Sequence, residues 1–243
     1  MTVYLTSSPC IDRAPRAILN PQNEFIDRIR MDLPENPSCL FVASSPEDRA
    51  ATCQFGSAMF CAFAEAGIHF SGYEILDSWS EEFAPELISG SDFIILAGGH
   101  VPTQNAFFNE LGLSTLLQDF DGVIMGISAG SMNSASLVYV QPEEPGESDP
   151  EFRRFAPGLE LTDIQILPHY QKVKDNILDG QRLFEDVTYA DSMGNCFFAL
   201  PDGSYLRIDE ESEILFGEAY TISDGVLEQI SRDGDILDLH AMG

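Results

Sequence analysis

Short apolar runs alternate with stretches of helical spacing along the first 140 residues. Val3-Tyr4-Leu5 reads as a first strand, and Cys39-Leu40-Phe41-Val42-Ala43 as a buried second one. Ser45-Pro46-Glu47-Asp48 is a helix start, with proline and acids in the first turn. The helix it predicts places Ala51, Phe55, Ala58, Ala62 and Ala66 on one face and stops at Gly67. A strand over His69 to Leu76, a helix near Ser80 to Leu87 and the strand Phe93-Ile94-Ile95-Leu96 follow. Gly98-Gly99 closes that strand, two helical pieces lie between Pro102 and Gln118, and Val123-Ile124-Met125 is a further short strand. Strands and helices alternating in this way predict βαβ units. The expected architecture is α/β, with three αβα layers around a mostly parallel central sheet.

The rhythm changes after Val140. Gln141 to Gly158 is rich in proline, glycine and acids and has no apolar period, so it is expected to be a long loop or flap. A helix is expected around Asn176 to Tyr189. The runs Cys196–Leu200, Tyr205–Ile208, Glu213–Phe216 and Val226–Ile230 then read as strands, the last three as an antiparallel meander on the sheet edge. No repeat or linker interrupts the chain, which predicts one domain over residues 1–243.

Charge narrows the partners. Forty Asp and Glu against twelve Lys and Arg give a net charge of −28. No basic cluster could track nucleic-acid phosphates, and an anionic membrane surface would repel such a chain. No apolar run reaches membrane-spanning length. The first residues carry no basic start before a long apolar stretch, so they are not expected to act as a signal peptide. Five scattered cysteines, Cys10, Cys39, Cys53, Cys61 and Cys196, without CxxC or Cys/His spacing, predict reduced thiols in a cytoplasmic protein and no metal centre.

Chemistry concentrates in Gly126-Ile127-Ser128-Ala129-Gly130, which follows a strand and precedes small residues suited to a helix. That setting is the one a nucleophile elbow requires, with the serine hydroxyl projected from a strained turn. The Ala129 N–H, at the start of the helix, is placed for an oxyanion hole. A serine needs a base. Of four histidines, His69 sits in a strand pattern and reads as structural. His100 follows Gly98-Gly99 at a strand end, where open sheets place their ligands, and could line a pocket. His169 ends another strand behind Pro168, and His240 lies in the C-terminal tail; spacing alone leaves both open as the base. No GxGxxG fingerprint is present, and no cofactor is expected.

Taken together, Gly126-Ile127-Ser128-Ala129-Gly130, Pro168-His169-Tyr170, Leu200-Pro201-Asp202-Gly203-Ser204 and Leu96-Ala97-Gly98-Gly99 resemble the aspartyl dipeptidase (dipeptidase E) family in order and spacing. That family includes the cyanophycinases and shares its flavodoxin-like fold with class I glutamine amidotransferases. The resemblance runs from the first strand to about Gly217. It implies Ser128 as nucleophile, His169 as base and Asp202 as third member, where the family usually carries Glu in Pro-Glu-Gly. The shorter aspartate would need a small backbone shift or a water to reach the imidazole, and Glu218 is the alternative partner. The resemblance adds the Gly99 N–H to the oxyanion hole. It places Arg182, in a step similar to the family's Gln-Arg, as a substrate-binding residue beside His100.

The resemblance implies a serine peptidase, monomer or homodimer, that cleaves short peptides with an acidic N-terminal residue. Arg182, or Arg153 and Arg154 of the flap, would supply the cation. An amidotransferase is disfavoured, because Ser128 stands where that branch has Cys and Tyr170-Gln171 follows the histidine. Two other readings remain: an α/β-hydrolase-type esterase using His240, and a non-catalytic binding module on the same fold.

Overall fold

Alternation along the strands sorts their side chains onto two faces, and helices cover both. The computed structural model describes residues 1–11 and 16–242. Strands β1 (Thr2–Thr6), β2 (Ser38–Val42), β3 (Gly72–Leu76), β4 (Phe93–Leu96) and β5 (Val123–Ile127) pair in parallel in the order β1-β5-β4-β2-β3. Three antiparallel strands, Tyr205–Ile208, Glu213–Phe216 and Ile236–Asp238, extend the sheet beyond β1 to eight strands. Val3, Leu5, Leu40, Val42, Ile94, Leu96 and Ile124 enter one core, whereas Tyr4, Phe41, Phe93, Ile95 and Met125 enter the other. The period of two thus makes the central layer apolar on both sides.

Helices α1 (Phe25–Asp32) and α2 (Arg49–Glu65) cover the second face through Phe25, Ile29, Met59 and Phe63. The Asp48 side chain caps α2 by accepting from the Ala51 N–H. The buried stripe of α2 is Thr52, Gly56, Met59, Ala62 and Phe63, one residue round from the expected Ala51–Phe55–Ala58 line. The larger side chains decide which face turns inward, because alanines contribute little apolar area. Helices α3 (Ala84–Ser89), α4 (Val101–Leu111), α5 (Leu113–Leu117) and α6 (Ala129–Met132) cover the first face. The three αβα layers are those the pattern predicts.

A second sheet shares this face, with strand order Val226–Ser231, Ala219–Ser223, Cys196–Ala199, Gln165–Leu167. Val226–Ser231 therefore does not complete the expected edge meander; Ile236–Asp238 takes that place. Two other expectations shift. His69 is exposed ahead of β3, which begins at Gly72. The helix expected from Asn176 starts only at Leu183, because Asp179 and Gly180 both adopt positive φ (50° and 83°). They turn Ile177–Leu178 back onto Gln181–Arg182 as a two-residue hairpin. The 141–158 stretch is not wholly loop either, since Phe155–Pro157 pairs with Leu137–Tyr139. All five cysteines are free thiols, and no helix among the described residues is long and apolar enough to cross a membrane.

A half-buried ion pair joins α1 to the antiparallel edge. Arg207 donates to both Asp32 oxygens (2.7 and 2.9 Å), and the buried Tyr4 hydroxyl donates to Asp32 Oδ2 at 2.5 Å. Burial alone would raise the Asp32 pKa, but these hydrogen bonds hold it below the ordinary carboxyl value. Asp32→Ala is expected to destabilise the protein by about 1–3 kcal/mol in urea unfolding at neutral pH. The contribution of Asp32 is complete above the unfolded carboxyl pKa and is lost as pH falls through the lower folded value. The variant and the wild type should therefore converge in acid; a constant gap down to the acid transition would refute the assignment.

Candidate active site

Ser128 stands where β5 turns into α6, with φ 51° and ψ −109°. A non-glycine residue held there is strained and persists only where its surroundings over-determine it. Two close approaches do so. A Cβ at Gly126 would lie 2.5 Å from the Ser131 N, and one at Gly130 would lie 2.3 Å from the Leu96 O, so neither position admits a side chain. The end of β1 clamps the same turn. The Thr6 carbonyl accepts from the Ser128 N–H (3.0 Å) and from Ser131 Oγ (2.9 Å), while Thr6 Oγ1 donates to the Gly126 O (2.6 Å).

His169 and Asp202 come from the second sheet, following Gln165–Leu167 and Cys196–Ala199. His169 Nε2 lies 3.0 Å from Ser128 Oγ, and His169 Nδ1 lies 2.6 Å from Asp202 Oδ1. The aspartate thus reaches the imidazole directly, with no water between them. His169 is itself left-handed (φ 58°), which directs it from the strand end toward β5. Asp202 is 7% exposed in its side chain, and four groups hold it. Besides His169, Ser7 Oγ donates to Oδ1 (2.9 Å), Lys172 pairs with Oδ2 (2.7 Å) and Gln171 Oε1 accepts from the Asp202 N–H (3.0 Å). Burial would raise the Asp202 pKa; the bonds from His169, Lys172 and Ser7 overcome it and keep the carboxylate ionised well below its usual range. Ser7, fully buried at the end of β1, also accepts the His169 N–H at 2.7 Å.

These groups face a cleft of about 730 Å³ lined by Gly98, Gly99, Ser128, His169 and the 141–143 stretch. Ser44 Oγ donates to the Gly98 carbonyl (2.7 Å) and so fixes the glycine turn. Ala129 is the first residue of α6, where no preceding turn supplies a carbonyl for its N–H. The other candidates lie elsewhere. His240 is 57% exposed in its side chain and approaches Glu213, and Glu218 accepts from the Tyr220 hydroxyl. His100 binds Thr103 Oγ1 (2.8 Å) and Glu147 Oε1 (2.9 Å). Arg182 is not among the described lining residues. Its guanidinium and N–H engage the Asp186 carboxylate at 2.6 to 3.1 Å, because Asp186 lies four residues on, in the first turn of the helix that Arg182 precedes. Arg153 donates to the Phe155 carbonyl, and Arg154 braces Glu147, Ser148 and Asp191.

Sequence reasoning missed Ser7, Lys172 and Gln171, and also Glu143. The last is the one carboxylate among the described residues lining the cleft, and crowding around it raises its pKa. Ser7 left a signal, since Thr6-Ser7-Ser8 ends the first strand on the side where open sheets bind ligands. Donor atoms of His100, Glu144 and Glu147 lie within 4.8 Å of one another and could share a cation. Glu147 is already engaged by His100 and by the N–H groups of Glu143 and Glu144.

Comparison with known proteins adds two findings. The model of peptidase family S51 matches residues 20–216. A crystal structure from Listeria monocytogenes EGD-e, of a protein whose name places it provisionally with peptidase E, aligns with TM-score 0.61 at 15% identity. The alignment covers 95% of this chain and 98% of that one. At that identity the likeness speaks for the fold. None of the curated proteins matches.

Ser7→Ala would strip a partner from both the His169 N–H and the Asp202 carboxylate. The expected cost is about 1–3 kcal/mol, because buried polar groups are left unsatisfied. Urea unfolding measures it, and an unchanged midpoint would show that neither bond contributes.

Proposed function

We propose, on the premise that the chain belongs to peptidase family S51, that it is a serine-type peptidase acting on short peptides through Ser128, His169 and Asp202. The observation that carries this reading is the line of hydrogen bonds from the strained Ser128 hydroxyl through His169 to Asp202. With Asp202 ionised, Nδ1 of His169 carries the proton and Nε2 faces Ser128 as the base. His169 takes the hydroxyl proton as Ser128 Oγ attacks the peptide carbonyl carbon. The N–H groups of Gly99 and Ala129 are the candidates to receive the charge that develops on the carbonyl oxygen. The protonated imidazole then donates to the departing amine, leaving an acyl-enzyme that water hydrolyses by the same route. Asp202 stabilises the imidazolium and stays ionised throughout.

Glu143 suits the α-ammonium of a bound peptide, which would confine cleavage to short substrates with a free amino terminus. The esterase reading has less support, since His240 contacts Glu213 on an antiparallel strand of the large sheet and is not among the described residues lining the cleft. A non-catalytic module would have no use for a serine held in a strained conformation against a paired base.

Ser128→Ala is expected to fold normally and to lose about 10³-fold or more in peptide hydrolysis, and a fluorophosphonate probe should label the wild type at Ser128. Near-normal turnover by Ser128→Ala would refute the nucleophile. Asp202→Asn should lower kcat about 10³- to 10⁴-fold by holding the wrong imidazole tautomer, with Glu218→Gln and His240→Ala close to wild type. The reverse pattern in the same steady-state assay would reassign the triad.

A further inference from the structure

Part of the cleft lining is a run of apolar side chains. Val173, Ile177, Leu178 and Leu183 come from the turn after His169, the hairpin that follows it and the start of the next helix, and Met132 and Pro142 also line the cleft. Ile177 is 69% exposed, an apolar side chain left open to solvent at the wall of a concave site. Such a residue is more usual under a ligand than under water. The wall is also fixed. Asp179, at the hairpin turn, accepts from the Gly146 N–H (2.8 Å) and from Ser148 Oγ (2.7 Å), which fastens the hairpin to the stretch bearing Pro142 and Glu143.

Charge points the same way. No arginine or lysine is among the described residues lining the cleft; Arg182, next to the lining Leu183, is engaged by Asp186 through three contacts, and Lys172, next to the lining Val173, is paired with Asp202. A substrate carboxylate placed against this wall would lose its hydration without gaining a charged partner, and Glu143 would repel it.

We propose that this wall is a subsite for an apolar substrate side chain next to the scissile bond, and that it discriminates against an acidic one. The proposal rests on the reading of Ser128 as the nucleophile of a peptidase. Leucine against an unpartnered carboxylate in such a subsite is expected to differ by about tenfold or more in kcat/KM.

The test assays Leu-Leu, Asp-Leu and Leu-Asp with wild type and Ile177→Lys, a change at an exposed position that leaves the core untouched. In parallel, each dipeptide competes with a fluorophosphonate for labelling of Ser128. The expected result is a preference of about tenfold or more for Leu-Leu over at least one acidic dipeptide, in turnover or in protection. Ile177→Lys should shrink that preference. Equal use of all three peptides, a preference for an acidic one, or a ratio untouched by Ile177→Lys would overturn the subsite. If no dipeptide turns over but Leu-Leu alone protects a labelled Ser128, the peptidase reading fails and the subsite stands. If Ser128 is not labelled in folded protein, both fall.

Discussion

The packing of β5 between β1 and β4 is the constraint on which the site depends. Gly130 lies so close to the Leu96 carbonyl that a methyl group would not fit, and Gly126 lies equally close to Ser131. The Thr6 carbonyl then takes two hydrogen bonds from the same turn. Strand, turn and helix are thereby locked at a separation that leaves Ser128 with no relaxed conformation to adopt. The strain is local, but what maintains it is the parallel sheet, buried on both faces and unable to yield without opening two cores.

Electrostatics in this chain is a matter of scarcity. Twelve basic side chains serve forty acids, and the described ones are mostly engaged in holding elements together. Arg207 joins Asp32, Arg49 joins the fully buried Asp77, Arg154 joins Asp191 and Arg182 joins Asp186. Lys172 is placed on Asp202 instead, beside His169. An ionised carboxylate that is 7% exposed can stay charged only if it is paired and hydrogen-bonded. Ser7 and Lys172 supply those contacts beside His169, while Gln171 holds the Asp202 main-chain N–H. The net charge of −28 acts at longer range, where salt at physiological strength screens it beyond about 8 Å.

The acid-rich stretch after Val140 shows how such a composition can still be ordered. Its carboxylates accept main-chain and side-chain donors: Glu147 takes two N–H groups and His100, while Asp179 of the hairpin reaches across to Gly146 and Ser148. Both walls of the cleft are in this way tied to one another and to the first turn of α4, so Glu143 is kept at the cleft that Ser128 faces by bonds made to its neighbours.

The sequence by itself determined the layers and the parallel strands and singled out Ser128 as the candidate nucleophile, because each rests on a local signal. Strand alternation, the capping acid at Asp48 and the glycines around Ser128 all act within a few residues. His169 and Asp202 were within reach only through a resemblance, since residues 33 and 41 positions apart meet by way of different strands. Where local signals competed, the reading slipped. Apolar spacing was read as helix across Asp179-Gly180, although that dipeptide favours a hairpin, and Arg182 was placed accordingly. Ser7 and Asp202 lie 195 residues apart, and no spacing rule connects them. Tertiary structure decided that contact, the grouping of Glu143 with the apolar wall and the withdrawal of Arg182 to Asp186. The first two depend on which strand ends the folded sheets bring together, and neighbours along the chain carry no information about that; the third is a contact between residues four apart, fixed once the helix starts at Leu183.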